Sequence, residues 1–155
     1  MQQLCFFTGF MGAGKSYWGR RLSERLNLPF VDLDVQIEIG ENSPITNIFK
    51  NAGEQTFREL ERAYLHQTLA QAPAVVAVGG GAPCFFDNMD WMNQHGLTVW
   101  LNPPVAALAS RLYRESLARP LLLNVPQQEL QTYIAGLLEK RKPYYELAQM
   151  EIDSS

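Results

Sequence analysis

The sequence of 155 residues contains few cysteines and few histidines, and its net charge is small. Its two cysteines, Cys5 and Cys84, are far apart, and neither lies in a Cys-x-x-Cys or Cys/His pattern. Reduced, buried thiols in a reducing compartment are therefore expected, rather than disulfides or a zinc site. The net charge of −3 argues against a nucleic-acid surface built on bulk positive charge. No apolar run approaches the length of a membrane span, so no membrane segment is expected.

The rest of the composition is that of a globular protein, with 46% hydrophobic and 19% charged residues. The length suits one domain over residues 1–155 with a substantial core, and we expect a monomer. The apolar N-terminus is interrupted early by a glycine-rich loop, which a removable signal peptide would not contain. These features predict a cytoplasmic protein.

The glycine-rich loop, Gly9–Ser16, reads Gly-Phe-Met-Gly-Ala-Gly-Lys-Ser and has the spacing of a P-loop. The apolar run Leu4–Phe7 precedes it and predicts a buried strand. An amphipathic segment follows, in which Trp18, Leu22 and Leu26 are four residues apart and are expected to face the core. A glycine-rich turn with an accidental lysine is the alternative, which this strand-loop-helix context disfavours.

The chemistry of a P-loop follows from its geometry. Glycines at positions 9, 12 and 14 let the backbone bend tightly and approach a ligand closely. The backbone N–H groups and the start of the following helix then form an anion site. In such a loop Lys15 reaches the outer phosphates of a nucleotide, and the Ser16 hydroxyl binds Mg²⁺.

Predicted strands and helices alternate along the chain. The pattern predicts strands over 3–8, 30–34, 74–78, 98–101 and 150–153, and helices over 15–26, 36–40, 43–53, 54–72, 87–94, 104–113 and 127–141. This alternation indicates an α/β fold with a parallel sheet covered on both faces. Ligands bind at the carboxyl ends of strands in such sheets, so the loops after the first three strands should meet at one edge.

Two carboxylates, Asp32 and Asp34, lie at the end of the second predicted strand. In an extended segment their side chains point to the same side of the chain. One could hold Mg²⁺ or its waters, and the other could orient or deprotonate an acceptor hydroxyl. The alternative is a turn in which aspartate caps the next helix.

Three charged residues of the long predicted helix, Glu54, Arg58 and Glu61, are spaced i, i+4, i+7 and share one face. They lie within or beside the apolar face of this helix, where a polar side chain is either paired with another polar group or faces a cavity. One interpretation is a salt-bridge ladder around Arg58. The other is that the two glutamates orient Arg58 to bind an anionic substrate group, and the two are compatible.

The last predicted helix carries Arg141 on its apolar stripe, which also contains Leu130, Ile134 and Leu138. A cationic helix end stopped by Pro143 explains the local charge but not this position on the buried face. A second anion-binding arginine does explain it.

Two further segments suggest a ligand site. Gly79–Gly81 follow a buried strand directly and permit close backbone approach to a ligand, although a plain loop is the alternative. Arg119 lies in an apolar loop over about 114–125, which suits a lid that closes over a transferring phosphate. A surface arginine in a packed loop is the alternative there.

The motifs together, from Gly9 to about Tyr145, resemble the shikimate kinase family of small P-loop kinases. They are Gly9–Ser16, Phe-Val-Asp-Leu-Asp ending at Asp34, Gly53 to Glu61 with its Phe-Arg-x-x-Glu, Gly79–Gly81, Arg-Pro-Leu-Leu from Arg119, and Arg-Lys-Pro-Tyr from Arg141. The resemblance implies a three-layer P-loop kinase fold with a five-stranded parallel sheet, a lid loop and a substrate-binding region over about 34–62.

The resemblance also implies a reaction: transfer of the γ-phosphoryl group from MgATP to the 3-hydroxyl of shikimate, in aromatic amino-acid biosynthesis. Asp34 would bind the acceptor hydroxyls and serve as the base. Arg58 and Arg141 would hold the shikimate carboxylate, and Gly80 would contact the substrate through its backbone.

The same resemblance assigns the nucleotide site. The residues implied to hold ATP are Gly12, Ala13, Gly14, Lys15, Ser16, Tyr17 and the lid residue Arg119. Lys15 and Arg119 would stabilise the transferring phosphate. Ser16 would bind Mg²⁺ directly, and Asp32 would belong to the metal site through the groups that bind Mg²⁺. Arg111 or Arg114 could lie near the adenine. The family usually has threonine at the position of Tyr17, and usually continues past the fifth strand into a helix that helps to frame the adenine.

Two alternatives remain open at this point. One is another small-molecule kinase of the same fold, such as a gluconate kinase, since two arginines for a carboxylate do not distinguish these acids. The other is a catalytically silent nucleotide-binding regulator. Tyr17 and the short C-terminus favour it, and the joint presence of Lys15, Asp34, Arg58, Arg119 and Arg141 disfavours it.

Overall fold

The computed structural model describes residues 4–115 and 127–154, in which strands and helices alternate. In chain order the elements are β1 (Leu4–Thr8), α1 (Lys15–Leu26), β2 (Phe30–Asp32), α2 (Leu33–Glu41), α3 (Ile45–Gln67), β3 (Ala74–Ala77), α4 (Asn88–His95), β4 (Gly96–Leu101), α5 (Val105–Arg114), α6 (Gln127–Tyr145) and β5 (Met150–Ile152). No helix of these residues is both long enough and apolar enough to cross a lipid bilayer.

The five strands form one sheet in the order β2-β3-β1-β4-β5, and every neighbouring pair is parallel. The predicted five-stranded parallel sheet is therefore confirmed. The strand ends are in register, because Ala77 of β3 pairs with Phe7 of β1 on one side and with Asp32 of β2 on the other. The chain segments that follow these three strands consequently leave the sheet at the same edge.

Helices cover both faces of the sheet, as predicted. In β1, Leu4 and Phe6 belong to a buried cluster with side chains of α2, α3 and α4. Phe7 belongs to the other cluster and Cys5 packs against it; the helical members of this cluster come from α5 and α6, and Leu22 of α1 packs on it. This alternation follows from the two-residue period of a strand. Each large apolar side chain that these clusters bury stabilises the fold by about 1.5–3 kcal/mol.

Helix α1 is rotated relative to the prediction, which was wrong about its buried face. Its buried residues are the small Gly19 and Ser23. A Cβ atom built on Gly19 would lie 2.5 Å from the Phe30 ring, so only glycine lets the helix come this close to β2. Trp18, expected in the core, is 40% exposed, and Leu26 is 53% exposed. Close packing through small residues therefore outweighed the apolar stripe.

The predicted boundaries of two other elements were also wrong. Strand β2 ends at Asp32, two residues early, because the Asp32 side chain accepts a hydrogen bond from the Val35 N–H and caps α2. Helix α6 continues through Pro143 to Tyr145. The predicted separation of two helical segments near residue 53 is confirmed, since Gly53 breaks α3 with φ of 86°.

Candidate functional site

The P-loop connects β1 to α1 at the sheet edge where the strands end. Gly14 caps α1 in the left-handed region, with φ of 99°, which a residue with a side chain adopts only under strain. The first N–H groups of a helix have no partner within it, so they are available to an anion. Lys15 extends back along the loop and donates from Nζ to the Gly9 carbonyl at 2.6 Å.

The outer side of the P-loop is fixed by two residues from distant parts of the chain. Arg111 of α5 donates to the carbonyl of Gly12 and to that of Ser154, both at 2.9 Å. The Ser154 hydroxyl donates to the Ala13 carbonyl at 2.6 Å. Because these bonds use the carbonyls of the loop, they hold it with its peptide groups pre-oriented before a ligand arrives.

Asp32 and Asp34 both line the cavity, but the backbone conformation that places them there differs from the prediction. Asp32 ends β2, and its carboxylate accepts a hydrogen bond from the Ser16 hydroxyl at 2.9 Å. It also caps α2, so the capping alternative is confirmed, while its role at a metal stays a prediction. Asp34 lies in the first turn of α2 and not in an extended strand. The two carboxylates therefore reach one cavity because the chain turns from strand to helix between them, and not because they alternate along a strand.

The carboxylate of Asp34 lies against the first glycine of the triple-glycine turn. A Cβ atom built on Gly79 would lie 2.9 Å from Asp34 Oδ1 and 3.0 Å from Glu61 Oε2, so a side chain there would collide with both carboxylates. Burial raises the pKa of Asp34 above its usual value, while Lys15 and Arg58 oppose the shift.

Arg58 forms ion pairs with two glutamates of the same helix, the buried Glu61 and the exposed Glu54. It donates to Glu61 at 2.9 Å and to Glu54 at 3.4 Å, which is the predicted ladder. Glu61 is 1% exposed, and burial raises its pKa although Arg58 opposes the shift. The Nε of Arg58 is buried and has no hydrogen-bond partner in the described part of the chain. The ring of Phe85 lies 4.2 Å from the guanidinium carbon.

Arg58 and Arg141 converge on successive glycines of the turn. A Cβ atom on Gly81 would lie 2.7 Å from Arg58 Nη2, and one on Gly80 would lie 3.2 Å from Arg141 Nη1. The Gly80 carbonyl accepts a hydrogen bond from the Tyr145 hydroxyl at 2.6 Å. The two predicted anion-binding arginines are thus brought together at the glycine turn, and a side chain at Gly81 would displace the guanidinium of Arg58.

A cavity of about 590 Å³ runs along the P-loop. The residues that line it are Met11, Gly12, Gly14, Lys15, Ser16, Tyr17, Trp18, Asp32, Asp34, Ala77, Val78, Gly80, Arg111, Glu115 and Ser154. Tyr17 is 57% exposed and accepts a hydrogen bond from Arg21 at 3.2 Å. The site thus has an end at Asp34 and Gly80, and a second end at Trp18, Arg111 and Ser154.

The structure separates the two basic residues that sequence reasoning left as alternatives. Arg111 lines the cavity, whereas Arg114 is exposed and is not among the lining residues. Arg119 and most of the predicted lid over 114–125 lie outside the described residues. Sequence reasoning missed Tyr145 and Ser154, because a predicted helix stop at Pro143 hid the first and no motif marks the second.

Comparison with known proteins identifies relatives that share the sequence and the fold of this chain. A family model described as shikimate kinase matches residues 11–155. A shikimate kinase of Parabacteroides distasonis is 43% identical over 149 residues, which are 96% of this chain and 86% of the relative. A 1.7 Å crystal structure of shikimate kinase from Bacteroides thetaiotaomicron covers 99% of this chain and 88% of its own, with 42% identity and a TM-score of 0.95.

A second solved structure, shikimate kinase from Acinetobacter baumannii in complex with shikimate, has a TM-score of 0.88 and 35% identity. It covers 100% of this chain and 85% of its own. The matches extend over nearly the whole sequence and include both the P-loop and the strands that follow it. The chain therefore belongs to the shikimate kinase family.

Proposed function

We propose that this protein transfers the γ-phosphoryl group of ATP to the 3-hydroxyl of shikimate, giving shikimate 3-phosphate and ADP. The observation that carries the proposal is the convergence of Arg58, Arg141 and Asp34 on the three successive glycines beside the P-loop. That arrangement offers an anion clamp and a hydroxyl acceptor within one site. Shikimate carries both a carboxylate and hydroxyl groups, so it matches the two halves of the site.

The substrate carboxylate binds to the two arginines. The buried Nε of Arg58 has no acceptor among the described residues, and burying such a donor without a partner costs free energy. A carboxylate can accept from a guanidinium by two parallel hydrogen bonds, which fix its orientation as well as its position. Glu54 and Glu61 hold the Arg58 guanidinium in place, so the clamp is pre-organised.

The hydroxyl to be phosphorylated lies beside Asp34, at the end of the cavity toward Lys15. The carboxylate of Asp34 orients this hydroxyl and takes its proton as the phosphoryl group transfers. Lys15 moves from the Gly9 carbonyl to the outer phosphates of ATP and stabilises the charge that spreads over them. The backbone N–H groups of Gly12 and of Gly14 to Ser16 hold the remaining phosphate oxygens, whereas the Ala13 N–H donates to the Phe10 carbonyl at 3.1 Å.

The residues beside the P-loop fit a magnesium ion bound through nucleotide phosphates. Ser16 Oγ and Asp32 Oδ2 are 2.9 Å apart at the cavity wall. Among residues 4–115 and 127–154, no group of three or more His, Cys, Asp or Glu side chains could hold a metal by itself. Mg²⁺ commonly uses one or two protein ligands together with substrate phosphates, and when bound it neutralises phosphate charge.

The nucleoside of ATP occupies the second end of the cavity. Arg111 lies there with both of its terminal nitrogens bonded to the P-loop and to Ser154, so its guanidinium plane is held still. Such a plane can stack on a nucleobase. Tyr17, at the family's usual threonine position, lines the same end and brings its ring edge-on to Trp18. We assign Arg111, rather than Arg114, to the base, and Arg119 to a lid over the phosphates.

The decisive test is a coupled assay of ADP release with MgATP, with shikimate present, with gluconate present, and with neither acid. ADP release that depends on shikimate is the expected result. Release that depends on gluconate instead would assign the site to another acid. No ADP release with either acid, from folded protein that binds ATP, would favour a catalytically silent regulator that keeps the fold.

Activity is also expected to depend on pH through Asp34. Because burial raises the pKa of this carboxyl, the base is fully ionised only above that raised value, and activity falls as pH falls through it. The acid limb of kcat/KM for shikimate should therefore lie above the usual aspartate range. ATP affinity measured at each pH separates this limb from the titration of ATP itself. Full activity down to the ordinary aspartate pKa would contradict the assignment.

A further inference from the structure

Tyr145, near the end of α6, is a fully buried tyrosine whose hydroxyl lies at the functional site. Its side chain is 0% exposed, and its ring lies 5.6 Å from that of the buried Trp100. Burial raises its pKa to about 12, so the hydroxyl keeps its proton and remains a hydrogen-bond donor at neutral pH. A buried hydroxyl that is retained within an apolar cluster is normally one that is hydrogen bonded.

The hydroxyl of Tyr145 connects two groups of the substrate site. It donates to the Gly80 carbonyl at 2.6 Å, and the positive charge of the neighbouring Arg141 side chain opposes the rise of its pKa. Arg141 and Tyr145 are four residues apart on α6, so they share one face of that helix. The continuation of α6 past Pro143 is what puts the hydroxyl within reach of both groups.

Gly80 is the middle residue of the triple-glycine turn, so its orientation affects both of its neighbours. Asp34 lies against Gly79 on one side and Arg58 against Gly81 on the other, while Arg141 lies against Gly80 itself. The hydrogen bond from Tyr145 to the Gly80 carbonyl fixes the peptide plane between these groups. The guanidinium of Arg141 lies beside this turn, 3.2 Å from the position of a Cβ atom on Gly80, and packs on the Phe10 ring, 5.4 Å away.

We propose that Tyr145 is a positioning residue for the acceptor carboxylate, because its hydroxyl locks the Gly80 peptide and the Arg141 guanidinium into one binding geometry. The inference rests on the proposed function, since it concerns the site that binds shikimate. Tyr145 does not touch the substrate. It acts through the two groups that do.

The test is Tyr145→Phe, which keeps the ring and removes only the hydroxyl. The KM for shikimate is expected to rise about tenfold, the size of one lost hydrogen bond to a charged group, with kcat within about threefold. The KM for ATP should stay unchanged, because the Tyr145 hydroxyl donates to Gly80 and not to a group of the P-loop itself. In an Arg141→Ala background the same change should raise the KM by less than about threefold, since the two residues act as one unit.

Two matched variants control for effects on folding. Tyr144→Phe removes a hydroxyl from the adjacent, 41% exposed tyrosine of the same helix. Thr68→Val removes a buried hydroxyl that donates to the Leu65 carbonyl at 2.7 Å, outside the cavity. Both should leave the KM for shikimate unchanged, although Thr68→Val should lower the melting temperature. Partial unfolding of Tyr145→Phe lowers the apparent kcat but not the KM, so a destabilised variant is still informative.

Three results would overturn the positioning role. They are an unchanged KM for shikimate in Tyr145→Phe, an equal rise in the KM values for shikimate and ATP, and a full tenfold effect in the Arg141→Ala background. If Tyr145→Phe cannot be folded, 3-fluorotyrosine at position 145 keeps the donor and must leave the KM unchanged. The wild-type protein is assayed first. If its ADP release does not depend on shikimate, the proposed function is wrong, and this outcome is distinct from a failure of the positioning role.

Discussion

Replacing Asp34 with asparagine is expected to lower kcat by about a thousandfold, within the range that a positioned general base contributes. Asparagine preserves the shape of the side chain and can still hydrogen bond to the acceptor hydroxyl, but it cannot take its proton. ATP should bind with unchanged affinity, because the P-loop contacts of Lys15 and Ser16 are not altered. The measurements are kcat from coupled ADP release and the Kd for ATP by titration.

The stability of Asp34→Asn gives an independent check on the same residue. Burial raises the pKa of Asp34, which means that the folded state disfavours its ionised form. The stability associated with this carboxyl is fully present below its unfolded pKa and is lost as pH rises through the folded pKa. The neutral variant should therefore be at least as stable as wild type at neutral pH, as expected where a functional site is held at the expense of stability.

A matched control for Asp34→Asn is Asp90→Asn, at an exposed carboxylate in the first turn of α4. This variant should keep wild-type kcat and wild-type KM for both substrates. A kcat for Asp34→Asn within tenfold of wild type would remove Asp34 from the role of base. A lowered melting temperature at neutral pH would show instead that the carboxylate is stabilised where it lies.

The parallel sheet and the meeting of its loops could be predicted from sequence because those features rest on strong local patterns. Apolar runs, glycine-rich turns and the P-loop spacing fix where each strand ends, and parallel strands bring their ends to one edge. The rotation of α1 could not be predicted in this way. It depends on how closely Gly19 allows the helix to approach Phe30, which is a property of packing and not of hydrophobic period.

Site residues could be predicted where a charged side chain falls on the apolar face of a helix. They could not be predicted where a residue of no unusual position makes a long-range contact. Glu61 and Arg141 are polar residues on apolar faces, and the hydrophobic period of each helix is enough to expose that conflict. Tyr145 is an aromatic residue that follows the predicted end of the helix at Pro143, so nothing in the sequence indicates that its hydroxyl reaches the site. Ser154 reaches the P-loop through a contact between residues 141 positions apart in the chain, which no local pattern encodes.

Replacing Arg58 with methionine is expected to raise the KM for shikimate by about a hundredfold, because one of two guanidinium partners of a carboxylate is lost. The same change should destabilise the protein by about 3–5 kcal/mol, since it leaves the buried carboxylate of Glu61 without its cation. The folded pKa of Glu61 then rises further, so the variant should be most stable at acidic pH. Its stability should fall as pH rises through that value.

A double variant, Arg58→Met with Glu61→Leu, separates the clamp from the salt-bridge ladder. Replacing both members of a buried ion pair with apolar side chains is often neutral or stabilising, so this variant should recover most of the lost stability and lose the added pH dependence. It should not recover the KM, because shikimate still lacks its arginine. Recovery of both would mean that Arg58 only supports the fold. Recovery of stability alone means that the buried pair exists to hold one guanidinium in position for a carboxylate.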